Sequence, residues 1–128
     1  MAKSNENLRV FKNKWFTKFA RKEAISAEKL LKAICEAESG KVDADYGGGV
    51  IKQRIARPND GKSGGYRSVI LYRKGELAFF VYGFSKKTTD NIDKAEVKNF
   101  KNLAKIMLSL TDEQLKILLE NGELEEVK

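Results

Sequence analysis

Residues 50–89 read VIKQRIAR, PNDGKSGG, YRSVILYR, KGE and LAFFVYGFSKKTT, and they set the pattern of the fold. Three runs rich in β-branched and aromatic residues, separated by turn formers, predict three consecutive β-strands. Successive strand side chains point to opposite faces, so Ile51 and Ile55 share one face of the first run. Lys52 and Arg54 share the other face. The third run is apolar or small on both faces, which predicts a central strand covered on both sides.

Turn formers join these strands. Lys74-Gly75 predicts a two-residue hairpin loop, because glycine tolerates the positive φ of such turns. Residues 58–65, PNDGKSGG, predict a flexible surface loop. The Gly-Lys-Ser within it resembles part of a phosphate-binding P-loop, but Ala56 stands where that motif has its first glycine, and a strand follows instead of a helix. An NTPase is therefore excluded.

Residues 8–39 predict a short strand, Leu8–Phe11, and two helices that form a hairpin. The first helix carries Trp15, Phe16 and Phe19 at helical spacing between lysines. This stripe is typical of a core face, although it also fits a platform on which nucleic-acid bases stack. The second helix has Ser26 as its N-cap and ends near Ser39-Gly40. Its cysteine, Cys35, is expected to be buried.

Residues 41–49 predict a turn or loop that ends in three glycines. After Thr89, apolar residues at helical spacing predict a long helix from about Asp93 to Ser109. The run Thr111 to Gln114 matches a capping box and predicts a final helix ending at Asn121-Gly122. The acidic tail 123–127 fits either a frayed end or an edge strand. Together the elements predict an α+β fold, with helices covering one face of the sheet and leaving the other free.

Length and composition limit the classes of function that are possible for this chain. The 128 residues predict a single domain, 1–128, and the net charge of +7 favours an anionic partner such as nucleic acid or an acidic protein. The chain contains no histidine, which excludes Ser-His-Asp, Cys-His and His-His catalysis and zinc sites with histidine ligands. We expect a cytoplasmic protein with no membrane partner, because the chain has a single cysteine, no signal-peptide layout and no apolar run of about 20 residues.

The segments VIKQRIAR, SGGYRSVILYR and LAFFVYGFSKK resemble the core of the RelE/ParE toxin superfamily of bacterial type II toxin-antitoxin systems, most of all its HigB-like branch. The similarity covers roughly residues 46–125. It implies a RelE-like α+β microdomain in which an N-terminal helix hairpin and C-terminal helices pack on a small antiparallel sheet. It also implies an mRNA interferase, a metal-independent endoribonuclease without cofactors that cuts mRNA in the A site of the 70S ribosome. The implied protein partner is an antitoxin with a helix-turn-helix domain.

The resemblance also assigns roles to individual residues. Arg67 matches the arginine of the family's Gly-Tyr-Arg strand and is expected to bind the scissile phosphate. Lys52 and Arg54 match the basic pair of the preceding strand, and one of them is expected to act as a base. Lys87 matches the basic residue after the last strand and is expected to stabilise the leaving group or its phosphate. Further residues expected to bind RNA are Lys86, Arg57, Lys62, Tyr66 and Arg73.

One catalytic position departs from the family pattern. The tyrosine of the best-studied RelE-type members has no counterpart, because Ile92 and Asp93 occupy the matching region. Tyr66, Tyr82 or a lysine can serve in its place. Two alternatives stay open: a ParE-like inhibitor of DNA gyrase, and a non-catalytic basic module that binds RNA or protein.

Overall fold

The computed structural model describes residues 8–56, 65–85 and 92–128. Its elements, in chain order, are β1 (Arg9–Asn13), α1 (Lys14–Lys22), α2 (Ala27–Glu38), β2 (Ala44–Gly47), β3 (Val50–Ile55), β4 (Tyr66–Arg73), β5 (Leu77–Ser85), α3 (Lys94–Met107), α4 (Asp112–Glu120) and β6 (Leu124–Glu126). The predicted α+β class is confirmed. Within the described ranges, no helix has the length and apolar character needed to cross a bilayer.

The strands form one six-stranded sheet in the order β2-β3-β4-β5-β1-β6. β5 lies between β4 and β1, which confirms the central strand predicted from its apolar faces. The pairing of β1 with β5 is parallel, whereas the other pairings are antiparallel. The sheet is therefore mixed, and the predicted antiparallel sheet is corrected. β1 lies next to β5 because of long-range pairing, which no local sequence pattern can predict.

Two turns differ from their predictions. Arg73 pairs with Leu77, so the loop between β4 and β5 has three residues, 74–76, and Gly75 adopts a positive φ of 76° there. Residues 44–47, predicted as part of a loop, form the edge strand β2 instead. The strand is short and contains an irregularity in its pairing with β3 between Asp45 and Gly47, which explains why its alternation is weak.

Helices cover both faces of the sheet, which corrects the prediction of a free face. α1 packs against β5 and α2 against β3 on one face. The core of this face includes Phe16, Leu30, Ile34, Ile55, Ile70 and Phe80. The core of the other face, to which α3 and α4 contribute, includes Phe11, Val50, Val69, Leu71, Phe79, Ala104 and Leu115. A Cβ on Gly49 would lie 2.7 Å from Leu108, so this glycine lets the end of α3 approach β3.

The helix ends confirm the capping predictions. Ser26 accepts a hydrogen bond from the backbone N–H of Lys29, and α2 ends at Glu38. The capping box predicted at Thr111 opens α4, and a second capping box, which was not predicted, opens α3 at Asp93. The C-terminal tail, which the sequence left open, pairs with β1 as edge strand β6.

Two side chains lie where the sequence did not predict them. Cys35 is exposed, because the buried face of α2 consists of Leu30, Ala33, Ile34 and Ala37. The expectation of a buried thiol is therefore wrong. On α1, Phe16 is fully buried, whereas Trp15 is 45% exposed. The core interpretation of the aromatic stripe thus fails for its tryptophan.

Candidate functional site

The pairing of β3 with β4 brings together three of the predicted site residues. Arg54 lies directly opposite Arg67, and Lys52 lies opposite Val69. Directly paired residues share a face of the sheet. The three cations therefore lie on the same face as Val69, which belongs to the core beneath α3. We refer to Lys52, Arg54 and Arg67 as the basic cluster. The prediction that Lys52 and Arg54 lie on the face opposite Ile51 and Ile55 is confirmed.

Like charges directly opposite one another destabilise a sheet, so the basic cluster requires compensating charge. Asp43 supplies part of it. Its Oδ2 lies 3.3 Å from Nε of Arg67 and 3.5 Å from Nζ of Lys52. The side chains of Lys52 and Arg67 are only 12% and 13% exposed. Two largely buried cations therefore share a carboxylate, and that carboxylate lies where a phosphate group could bind.

Gln53 fixes the position of Asp43 from the other face of the sheet. This glutamine is 2% exposed, and its Oε1 accepts a hydrogen bond of 3.0 Å from the backbone N–H of Asp43. Its Nε2 donates to the carbonyls of Ala33, in α2, and Lys41. A buried amide with satisfied hydrogen bonds is a rigid anchor. Asp43 is thus held in place by α2 and β3 together.

Tyr46, on β2, lies partly buried on the same face as the basic cluster. Burial raises the pKa of its hydroxyl, and the negative charge of Asp43 raises it further. A tyrosine titrates near pH 10 when unperturbed, so this hydroxyl keeps its proton at neutral pH. Tyr46 can therefore donate a proton or a hydrogen bond at this surface.

Asp43 and Tyr46 were missed by the sequence analysis because residues 41–49 were predicted to be a loop. A weak signal was present: in the run Ala44-Asp45-Tyr46, the polar residue lies between two less polar ones, as in a half-buried strand. Four residues are too few for such alternation to be decisive.

Two of the other predicted RNA-binding residues, Tyr66 and Arg73, do not join the basic cluster. Tyr66 is 3% exposed and lies on the α1 and α2 face, where its hydroxyl donates a 2.7 Å hydrogen bond to Glu23. Arg73 lies six residues from Arg67, about 20 Å along the strand, and pairs with Glu76 at 3.6 Å. The predicted residues Arg57, Lys62, Lys86 and Lys87 lie outside the described residues.

Comparisons with known proteins agree with this architecture. A scan against protein-family models matches residues 8–127 to the family described as RelE toxin of RelE / RelB toxin-antitoxin system. A search among curated proteins finds no match to the chain. The matched span contains every strand and helix, from β1 to β6. The chain therefore belongs to the RelE toxin family, and it is a toxin of a toxin-antitoxin system.

Proposed function

We propose that this toxin is a ribosome-dependent mRNA endoribonuclease that inhibits translation and is neutralised by a cognate antitoxin. The observation that carries the proposal is the carboxylate of Asp43 between Lys52 and Arg67, with Arg54 paired beside them. Lys52 and Arg67 contact the same carboxylate oxygen, so they are placed to bind an anionic oxygen. A backbone phosphate of RNA offers such oxygens.

Cleavage begins with attack of a ribose 2′-OH on the adjacent phosphate, which leaves a pentavalent group with added negative charge. Arg67 and Lys52 bind the phosphate oxygens and stabilise that charge. Arginine suits this role because its planar guanidinium can bind two oxygens at once and stays charged. Arg54, which is exposed on the same face, binds the neighbouring phosphate.

Asp43 accepts the proton of the 2′-OH in this mechanism. Lys52 already contacts this carboxylate, so in the proposed mechanism Lys52 supplies charge and Asp43 is the base. When RNA binds, its phosphate takes over the cations and Asp43 becomes available for the proton. Tyr46, which keeps its proton, donates to the 5′-oxygen that leaves. Lys87, with Lys86 beside it, supplements this role as the family resemblance implies.

The proposed partners rest on the family to which the chain belongs and on its net charge. The substrate is mRNA in the A site of the 70S ribosome, and the net charge of +7 favours approach to ribosomal RNA. The antitoxin, proposed to carry a helix-turn-helix DNA-binding domain, blocks activity by covering the basic cluster or by holding the toxin away from the ribosome.

Two arginines on one strand provide a matched test. Arg67→Ala and Arg73→Ala remove the same side chain from β4, but only Arg67 belongs to the basic cluster. With purified ribosomes and a translated mRNA, we expect Arg67→Ala to lower the cleavage rate by about 100-fold or more, the usual cost of losing a charge-stabilising donor. Arg73→Ala should cleave near the wild-type rate. Primer extension on the mRNA measures the cut ends.

The test can contradict the proposal in two ways. A folded Arg67→Ala protein that cuts mRNA as fast as the wild type would remove Arg67 from the site. A wild-type toxin that leaves mRNA intact on ribosomes but blocks DNA supercoiling by gyrase would place the chain with the ParE-like alternative. Circular dichroism of each variant verifies that the fold is retained.

A further inference from the structure

Aromatic rings lie across the outer end of β5. β1 pairs with β5 only as far as Phe80, because the chain turns into α1 after Asn13. Beyond that point the ring of Trp15 lies against the ring of Tyr82, with centroids 4.7 Å apart. Trp15 also stacks on Phe19 at 5.3 Å. The end of β5 that β1 does not pair is therefore covered by an aromatic surface.

Gly83 makes this arrangement possible. A Cβ at this position would lie 2.5 Å from the ring of Phe19, so only glycine lets that ring rest on the strand. The ring of Phe19 stacks on Trp15 at an interplanar angle of 18°, and the ring of Tyr82 lies against Trp15 at an angle of 34°. The indole is held rigidly from below while 45% of the residue remains exposed. A fixed, exposed aromatic face of this kind is suited to stacking with another flat ring.

The side of α1 that carries Trp15 is cationic. Lys18 and Lys22 follow Trp15 by three and seven residues, so they lie on the same side of α1. Both lysines are exposed, and α1 contains no acidic residue. Proteins that bind single-stranded nucleic acid combine aromatic stacking surfaces with cations that follow the phosphate backbone. The two lysines favour an anionic partner over a purely apolar one, and the exposed indole of Trp15 favours the unpaired bases of an RNA strand over an acidic protein.

The aromatic surface adjoins the basic cluster. Phe84 is the direct cross-strand partner of Arg67, and Tyr82 is two residues farther along β5. Such diagonal neighbours on paired strands lie about 7–8 Å apart. The ring of Tyr82 contacts that of Phe84, with centroids 6.1 Å apart. A strand of RNA with a phosphate at Arg67 thus has a nearby base within reach of Trp15 and Tyr82.

We infer that Trp15 is a base-stacking site for single-stranded RNA, adjacent to the phosphate that the basic cluster binds. This inference rests on the proposed function, since it assigns an unpaired base of the same substrate to this surface. Stacking uses the face of the base, which all bases share, so Trp15 contributes affinity and placement with little dependence on sequence. Lys18 and Lys22 bind the phosphates on either side of the stacked base.

Trp15 is the only tryptophan of the 128 residues, so intrinsic fluorescence reports on this site alone. The probe is a short single-stranded oligoribonucleotide with 2′-O-methyl groups, which cannot be cut by 2′-OH attack. We expect saturable quenching of the tryptophan emission as the oligonucleotide binds. With a dye-labelled oligonucleotide, anisotropy should show an affinity loss of about tenfold for Trp15→Ala. Trp15→Phe, which keeps a stacking ring, should lose much less.

Ile117→Ala is the matched control, because Ile117 is another exposed apolar side chain, 54% exposed, on α4. Its affinity should be that of the wild type. Binding that saturates by anisotropy without any change in Trp15 emission would overturn the inference. Emission that responds to purified antitoxin but not to RNA would overturn it as well and identify a protein interface.

The inference and the proposed function can fail separately. Quenching by RNA in a toxin that does not cut mRNA on ribosomes would retain the stacking site and remove the nuclease. Cleavage by the wild type, with an unchanged KM and kcat in Trp15→Ala, would retain the nuclease and remove the stacking site.

Discussion

Ion pairs occur in two arrangements in this molecule, and the difference separates structure from function. At the β1–β6 edge, each cation has a carboxylate of its own. The pairs are Arg9 with Glu126, Lys12 with Glu125, and Lys14 with Glu123. In the basic cluster, Lys52 and Arg67 both contact the carboxylate of Asp43, and Arg54 lies opposite Arg67. One-to-one pairs hold the strands of this edge together, whereas the basic cluster gathers three cations around one carboxylate.

The geometry of the individual contacts supports this distinction. Glu126 binds Arg9 through both of its oxygens, each at 3.0 Å, which is the strong bidentate arrangement of a structural pair. The contacts of Asp43 at 3.3 and 3.5 Å are longer and use the same oxygen twice. A phosphate, with more oxygens and more charge, can satisfy Lys52 and Arg67 better than Asp43 does. The comparison predicts that changes at the two places have different consequences.

The largest effect is expected from Asp43→Asn, which keeps the size of the side chain but removes its charge and its ability to accept a proton. We expect the rate of mRNA cleavage on ribosomes to fall by about 10²- to 10⁴-fold, the range for loss of a general base. Affinity for uncleavable 2′-O-methyl RNA should rise, because the carboxylate that competes with phosphate is gone. Single-turnover cleavage and anisotropy measure the two quantities.

Glu36→Gln, a change of equal charge at an exposed position of α2, is the control and should leave cleavage and binding unchanged. Wild-type cleavage by folded Asp43→Asn would exclude Asp43 as the base. Weaker RNA binding by the same variant would mean that Asp43 orients Lys52 and Arg67 for the substrate instead of competing with it.

The basic cluster could be predicted from sequence only in part. Alternation along the strands placed Lys52 and Arg54 on one face, and the same alternation places Tyr66 and Arg67 on opposite faces of β4. What alternation cannot give is the long-range contact: Asp43 reaches Lys52 and Arg67 only because Gln53 ties its backbone to the sheet. A short edge strand that ends in the first of three consecutive glycines carries too little pattern to reveal that.

Other features of the fold were also predictable where nearby residues determine them and unpredictable where long-range contacts do. The starts of α3 and α4 were predictable because Asp93 and Thr111 cap their helices through side chains only three residues away. The parallel pairing of β1 with β5 depends on residues nearly 70 positions apart, as in Arg9 with Leu77, and was not predicted. Exposure of Trp15 depends on the end of β1 and on Gly83, neither of which helical periodicity can indicate.

A smaller effect is expected at the β1–β6 edge. The hydrogen bonds from Arg9 lower the pKa of Glu126, although burial opposes the shift. Glu126→Gln should therefore lower the free energy of unfolding by about 1 kcal/mol at neutral pH, a value reduced because the pair is partly exposed. A carboxylate with a lowered pKa stabilises the fold above its ordinary pKa, near 4.3, and loses this effect as pH falls through the folded value.

Urea denaturation at neutral pH and at about pH 3 measures this difference, which should shrink at the lower pH. Glu123→Gln is the matched control, since Glu123 lies 3.9 Å from Lys14 and both side chains are more than half exposed. It should change stability very little. Cleavage of mRNA should be unaffected in both variants. A loss of cleavage in Glu126→Gln would contradict the division between structural pairs and the basic cluster.

The smallest effect is expected from Tyr72→Phe, on the face opposite the basic cluster. The hydroxyl of Tyr72 donates to the carboxylate of Glu38, which also accepts from the backbone N–H of Gly75. Burial raises the pKa of Tyr72, and the hydrogen bond to Glu38 raises it further. A raised tyrosine pKa stabilises the fold fully below the ordinary value near 10, and the stabilisation is lost as pH rises through the folded value.

The wild type should therefore lose unfolding free energy faster than Tyr72→Phe as pH rises above about 10. The expected difference between the two slopes is less than about 1.4 kcal/mol per pH unit, because the ring is only partly buried. Urea denaturation between about pH 8 and pH 11 gives both slopes. Equal slopes for the wild type and Tyr72→Phe would mean that the hydrogen bond to Glu38 does not help Tyr72 to retain its proton. The contact between Tyr72 and Glu38 lies on the face opposite the basic cluster, so cleavage at neutral pH should be unchanged by the same substitution.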